Sequence, residues 1–222
     1  APELRRPEFE TTVHMLAHAA RQHPDHTAII SGENEITYAD YYACAAGLAA
    51  ELGDMGAKGE RVVVLKGNSV ETSVAAYATW AVGGQLVLFN PLFTDNELGP
   101  LIADAAPTVV ICDTAHKDML VPLVEANNIS HFYTFDNDRV SIDQWRGDRT
   151  LKFPEPMPKS DDLAMLAFTG GTTGLPKGAL HTQDKLVMGA RLIEAIWHTE
   201  IGGEILLSVA PQSHIWGWFM TL

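Results

Sequence analysis

The chain has 222 residues, 46% of them apolar, and carries 28 acidic against 15 basic side chains for a formal net charge of −13. That size and apolar share suit one large or two small globular domains with a substantial core. The acidic balance, spread along the chain as a solvated surface, argues against nucleic acid or an anionic membrane as a partner.

In chain order, Ala1-Pro2-Glu3-Leu4-Arg5-Arg6-Pro7 lacks the apolar core of a signal segment. Val13, Leu16, Ala17 and Ala20 recur at helical spacing. His14 and His18 on that helix have the i, i+4 spacing of a zinc protease, but Met15 stands where a catalytic glutamate is needed, so they read as surface histidines. Ala28-Ile29-Ile30 and Glu35-Ile36-Thr37 read as two strands joined by Gly32-Glu33-Asn34. Thr37 or Asp40 then caps an alanine-rich helix ending near Gly53. Val62 to Leu65 reads as a buried strand, and Val70, Val74, Tyr77, Ala78 and Ala81 as one helix face. Between them, Gly67-Asn68-Ser69-Val70-Glu71 falls short of a hydrolase nucleophile elbow because Glu71 replaces the glycine of the tight turn; Ser69 reads as a helix cap. Leu86 to Phe89 is the next strand, Thr94 with Glu97 a capping box, and Val109 to Cys112 another strand, after which Asp113 or Thr114 caps a helix toward Asn127. Cys44 and Cys112, far apart in apolar contexts, read as two buried thiols of a reducing, cytoplasmic compartment, with a disulfide as the lesser alternative.

This β-α-β-α rhythm predicts an α/β fold, a mostly parallel sheet flanked by helices. Residues 1–135 read as a first α/β subdomain. Residues 136–162, rich in charge and holding Pro154, Pro156 and Pro158, read as a surface connector. Residues 163–222 hold a strand from Leu163 to Phe168, a hairpin partner at Ala179-Leu180-His181, a helix through Leu186, Ala190, Ile193 and Trp197, and a last strand at Leu206-Leu207-Ser208-Val209. The nearest approach to a membrane span, Ile205 to Leu222, is interrupted by Pro211, Gln212, Ser213 and His214. The chain stops within the apolar run Trp218-Phe219-Met220-Thr221-Leu222, which reads as a truncated end.

The chemistry concentrates in Thr169-Gly170-Gly171-Thr172-Thr173-Gly174-Leu175-Pro176-Lys177-Gly178. Glycines let backbone amides converge on an anion, threonine hydroxyls add donors, and Lys177 adds a mobile positive charge. The set suits a polyphosphate. A Walker A loop needs Gly-Lys-Ser/Thr at its end, whereas Lys177 is flanked by Pro176 and Gly178. Adjacent Gly170 and Gly171 break the dinucleotide pattern Gly-x-Gly-x-x-Gly.

The run resembles the phosphate loop of the adenylate-forming superfamily, which includes acyl-CoA synthetases, adenylation domains of peptide synthetases and luciferases. It departs once from Thr-Ser-Gly-Thr-Thr-Gly-x-Pro-Lys-Gly, with Gly170 in place of serine. Ile36 to Tyr41, Gly83 to Leu92 and Ala210 to Gly217 resemble three further segments of that family in the same order. In the last, Gln212 and Ser213 replace an apolar pair. The resemblance implies an incomplete large N-terminal domain of a carboxylate–CoA ligase. It implies that Thr169, Gly170, Gly171, Thr172, Thr173, Gly174 and Lys177 hold ATP, with Thr169 touching Mg²⁺ and Lys177 touching a phosphate. His214, Trp216, Gly217 and Trp218 would border the acid pocket, Trp218 as a gate. Coenzyme A and a carboxylic acid are the co-substrates, and a C-terminal domain of the same chain is the implied partner; a homodimer stays open. By the same resemblance the 222 residues alone lack turnover, since the later magnesium-binding glutamate, the ribose-binding aspartate and the catalytic lysine lie downstream. Two other readings stand beside it: an acyl-AMP ligase or adenylation domain serving a carrier protein, and a non-catalytic nucleotide-binding module.

Overall fold

Each helix in the first half starts where a side-chain oxygen can take up an orphan amide. In the computed structural model, which describes residues 9–169, 176–197 and 205–222, Thr11 caps α1 (Thr12–Gln22) by accepting from the His14 amide at 3.4 Å. His14 Nδ1 lies 2.8 Å from the same hydroxyl, and His18 is bonded to Arg21. The hairpin β1 (Thr27–Ser31) and β2 (Asn34–Thr37) forms a separate antiparallel pair. Thr37 then caps α2 (Tyr38–Asp54) through the Asp40 amide at 3.2 Å. β3 (Arg61–Leu65) leads through Ser69, which accepts from the Thr72 amide at 3.1 Å, into α3 (Val70–Ala81). After β4 (Gln85–Leu88), the Glu97 carboxylate accepts from the Thr94 amide at 2.8 Å at the start of α4 (Asp95–Ala105). β5 (Val109–Cys112) ends at Asp113, which caps a short 3-10 turn into α5 (Lys117–Ala126). There follow β6 (His131–Thr134), β7 (Leu163–Thr169), β8 (Lys177–Thr182), α6 (Gln183–Ile196) and α7 (Ile215–Phe219).

The main sheet has six strands in the order β6-β5-β3-β4-β7-β8. Five run parallel, and β8 turns back antiparallel to β7. The central strands are buried on both faces, which is why Val62-Val63-Val64-Leu65 reads as an unbroken apolar run. Alternation sends Val62 and Val64 into a core with α1, α2 and α3, and Val63 and Leu65 into a second core with α4 and α5. Strand order reverses between β3 and β5, giving the sheet a topological switch point at its carboxyl edge. Gln183, almost wholly buried, accepts from the Thr12 amide and hydroxyl at 3.2 and 2.8 Å and ties α6 to α1.

Three findings differ from the sequence reading. First, β6 extends the sheet beyond β5, although its residues are only half-buried. Second, the stretch 136–162 is more than a surface connector: Val140, Ile142 and Phe153 are buried in the first core. Trp145 lies over α2 where a Cβ on Gly47 would stand 2.4 Å from its ring, so only glycine fits that position. Arg149 pairs with Asp40, whose amide-bonded carboxylate also accepts from the Gly147 amide at 3.0 Å. Burial by itself raises the Asp40 carboxyl, yet Arg149, Gly147 and Thr37 outweigh it and hold it below its usual value. β7 joins the same sheet as β3 and β4. Third, Leu206 to Val209 form no strand; among the described residues no strand pairs with them, and Leu207 is 83% exposed. An apolar run becomes a strand only when its backbone groups find a ladder.

Candidate functional site

Because β3, β4 and β7 are adjacent and parallel, their carboxyl ends open on one edge of the sheet. β3 delivers Lys66 to Ser69 there, β4 delivers Phe89 and Asn90, and β7 delivers Thr169. Phe89 and Phe168 pack with ring centroids 5.6 Å apart, joining the ends of β4 and β7. In open α/β sheets this edge is where ligands bind, outside the strand ends and near the point where strand order reverses.

Thr169 and Lys177 are the last pair of the β7–β8 ladder. The Thr169 hydroxyl donates to the Lys177 carbonyl at 3.2 Å, and both side chains are exposed. The ladder therefore clamps the two ends of the glycine–threonine run together at the sheet edge. Gly170, Gly171, Thr172, Thr173 and Gly174 lie outside the described residues.

The second part of the site hangs on the loop after β3. Asn68 donates through Nδ2 to the Ala210 carbonyl at 2.9 Å and accepts through Oδ1 from the Gln212 amide at 2.8 Å. Gln212, itself buried, donates through Nε2 to the Ser73 hydroxyl at 2.9 Å. Beyond it, His214 caps α7: its Nδ1 accepts from the Trp216 amide at 3.2 Å. In the neutral ring this bond leaves the proton on Nε2. A Cβ on Gly217 would stand 2.2 Å from the Pro211 carbonyl, so the turn from Pro211 into α7 closes only over glycine.

The four residues expected around the acid pocket divide into two pairs. His214 and Trp216 are exposed, whereas Gly217 and Trp218 are buried. Trp218 packs edge-on against Trp80 with centroids 5.3 Å apart, inside the first core. Its ring continues an aromatic series with Trp80, Tyr77 and Tyr41. Asn68, Ser73 and Gln212 were not among the residues singled out as a site. Asn68 lies within the imperfect nucleophile-elbow motif, and its role depends on contacts more than a hundred positions away.

Cys44 and Cys112 are free and buried, and burial pushes each thiol up to about 12. Cys44 donates to the Ile142 carbonyl at 3.3 Å. Both are thus held as neutral thiols at physiological pH. Among the described residues, no helix is long and apolar enough to cross a membrane.

A doubly wound α/β sheet, with a clamped hairpin and a histidine-bearing turn at its carboxyl edge, defines an α/β domain whose candidate site lies at the strand ends. The chain belongs to the family described as AMP-binding enzyme, whose profile matches residues 16–222. It is similar to a long-chain-fatty-acid–CoA ligase of Bacillus subtilis, at 28% identity over 94% of this chain and 43% of that protein. It is also similar to malpinin synthetase of Mortierella alpina, at 31% identity over 75% of this chain and 2% of that protein. Among solved structures, VinN in complex with L-aspartate matches with a TM-score of 0.85 and 26% identity, over 98% of this chain and 56% of that one. The chain thus spans less than half the length of the Bacillus ligase.

Proposed function

We propose that this chain is the N-terminal part of a cytoplasmic ligase that activates a carboxylic acid with ATP and passes the acyl group to coenzyme A. The observation that carries the reading is the Thr169–Lys177 clamp at the same sheet edge as the His214 turn. It supports a reading in which the hairpin would take the phosphates and the His214 turn, with the exposed Trp216 indole, would take the acid.

In the first half-reaction a carboxylate oxygen bonds to the α-phosphorus, the bond to the bridging oxygen breaks, and pyrophosphate leaves. The amides of Gly170, Gly171 and Gly174 and the hydroxyls of Thr172 and Thr173 would hold the departing phosphates, with the Lys177 ammonium neutralising their growing charge. The Thr169 hydroxyl donates a hydrogen bond to the Lys177 carbonyl, which leaves its lone pairs free, and it would fit as one oxygen ligand of Mg²⁺. When bound, that ion neutralises phosphate charge. The His214 Nε2 proton would orient the acid, and the exposed face of Trp216 would pack on its apolar part. In the second half-reaction the coenzyme A sulfur bonds to the acyl carbon and AMP leaves with the former carboxylate oxygen.

The 222 residues alone should not turn over. The test is acid-dependent exchange of labelled pyrophosphate into ATP: the intact protein exchanges and this chain alone does not. Robust exchange by the 222 residues contradicts the second statement, and no exchange by the intact protein with any of a broad panel of acids contradicts the first. Similarity to malpinin synthetase supports a second reading, an adenylating enzyme serving a carrier-bound thiol. AMP release that coenzyme A fails to stimulate would favour it.

A further inference from the structure

We propose that Asn68 is a positioning residue: its carboxamide grips the backbone on both sides of Pro211 and so fixes where His214 presents its Nε2 proton. The inference rests on the reading of His214 as an acid-pocket residue.

The chain from Ile205 to Val209 lies exposed, without a ladder to hold it. Two anchors bracket His214. On its C-terminal side, Trp218 is sunk in the core against Trp80. On its N-terminal side the anchor is Asn68, which makes a donor bond to Ala210 and an acceptor bond from Gln212 at 2.9 and 2.8 Å. One planar amide thereby satisfies a carbonyl and an amide two residues apart, as a neighbouring strand would. Gln212 reinforces the grip through Ser73, whose hydroxyl in turn donates to the Ser69 carbonyl at 3.1 Å. The Ser69–Ser73 turn is the rigid start of α3, so the His214 turn is referenced to the carboxyl end of β3, two strands from Thr169. From Pro211 the path to His214 is short: the His214 amide donates to the Pro211 carbonyl at 3.0 Å, and the His214 carbonyl accepts from Gly217 at 2.9 Å. Removing the Asn68 amide frees the N-terminal anchor and leaves the C-terminal one in place. The predicted result is a misplaced donor in a folded protein.

The test compares wild-type intact protein with Asn68→Ala, Asn68→Asp and Ser73→Ala. Hydrogen exchange at the Gln212 and His214 amides and steady-state pyrophosphate exchange are both measured. Asn68→Ala should speed exchange at those two amides about tenfold, with the amides of β3 and β4 unchanged. It should raise the KM for the acid by about the same factor and leave the KM for ATP within about twofold. Asn68→Asp keeps the acceptor for Gln212 and loses the donor to Ala210, so it should fall between. Ser73→Ala, which leaves Asn68 intact, should show the same pattern more weakly. Unchanged protection of Gln212 and His214 in folded Asn68→Ala overturns the clamp whatever the kinetics do. Loosened amides with an unchanged KM for the acid overturn its catalytic half. Failure of the wild-type protein to exchange pyrophosphate would instead bring down the reading of the site, with the amide-protection result still deciding the clamp.

Discussion

The parallel sheet and the segment Ile205–Leu222 are held by opposite means. In the sheet, β3, β4 and β5 are buried along most of their length and joined by parallel ladders, so position is set by burial and by many shared bonds. In the segment, position is set by a few side-chain hydrogen bonds and by Trp218 with Ile215, Phe219 and Leu222 packed beside it, while Ile205, Leu207 and Val209 face outward. The first arrangement tolerates loss of a single contact; the second does not. The candidate site joins the two, with Thr169 and Lys177 on the rigid sheet and His214 on the lightly held turn. Loops carried by a rigid scaffold are where binding groups concentrate.

Trp80 is common to both regions, and removing it should have the largest effect. Its ring is fully buried between Tyr77 and Trp218, and its Nε1 donates to the Ala164 carbonyl of β7 at 2.9 Å. Trp80→Ala should cost about 3–5 kcal/mol in chemical denaturation and loosen α7 as well. A loss under about 1 kcal/mol would break the claim that one core serves both regions. Ser69→Ala, which removes the α3 cap and nothing from the core, should cost about 1 kcal/mol by the same measurement. At the small end, Leu207→Ser should shift stability by no more than about 0.5 kcal/mol, because the side chain is already in solvent. A larger loss would mean that Leu207 is buried in solution and that the contrast between the two regions is overdrawn.

What the sequence makes legible follows the same division. Local signals are written in adjacent residues, so Thr37, Ser69 and the Thr94–Glu97 pair are found as caps and the runs at Val62, Leu86 and Val109 as strands. The hairpin of β7 with β8 is equally visible, since its two arms flank one glycine-rich run. β6 escapes because His131 to Thr134 are four half-buried residues with no continuous apolar run. Val140, Ile142 and Phe153 escape because each is a single apolar residue among charges and prolines, and burial of an isolated residue has no period. Leu206 to Val209 err in the other direction: apolar content alone cannot supply the neighbour a strand requires. At the candidate site, the glycine–threonine run that ends in Lys177 stands out by composition and spacing, and His214 by the resemblance. The Asn68 clamp is invisible, because its partners lie 142 and 144 positions away.

The most direct measurement is calorimetric titration of ATP with Mg²⁺ into the intact protein and its Lys177→Ala variant. Lys177 is exposed at the last rung of the hairpin, so the substitution leaves the unfolding midpoint in place. The account predicts that it weakens nucleotide binding by about tenfold or more, the loss of a charge-assisted phosphate contact. Equal affinity in the two proteins would contradict it, because the clamped hairpin would then not be what holds the phosphates.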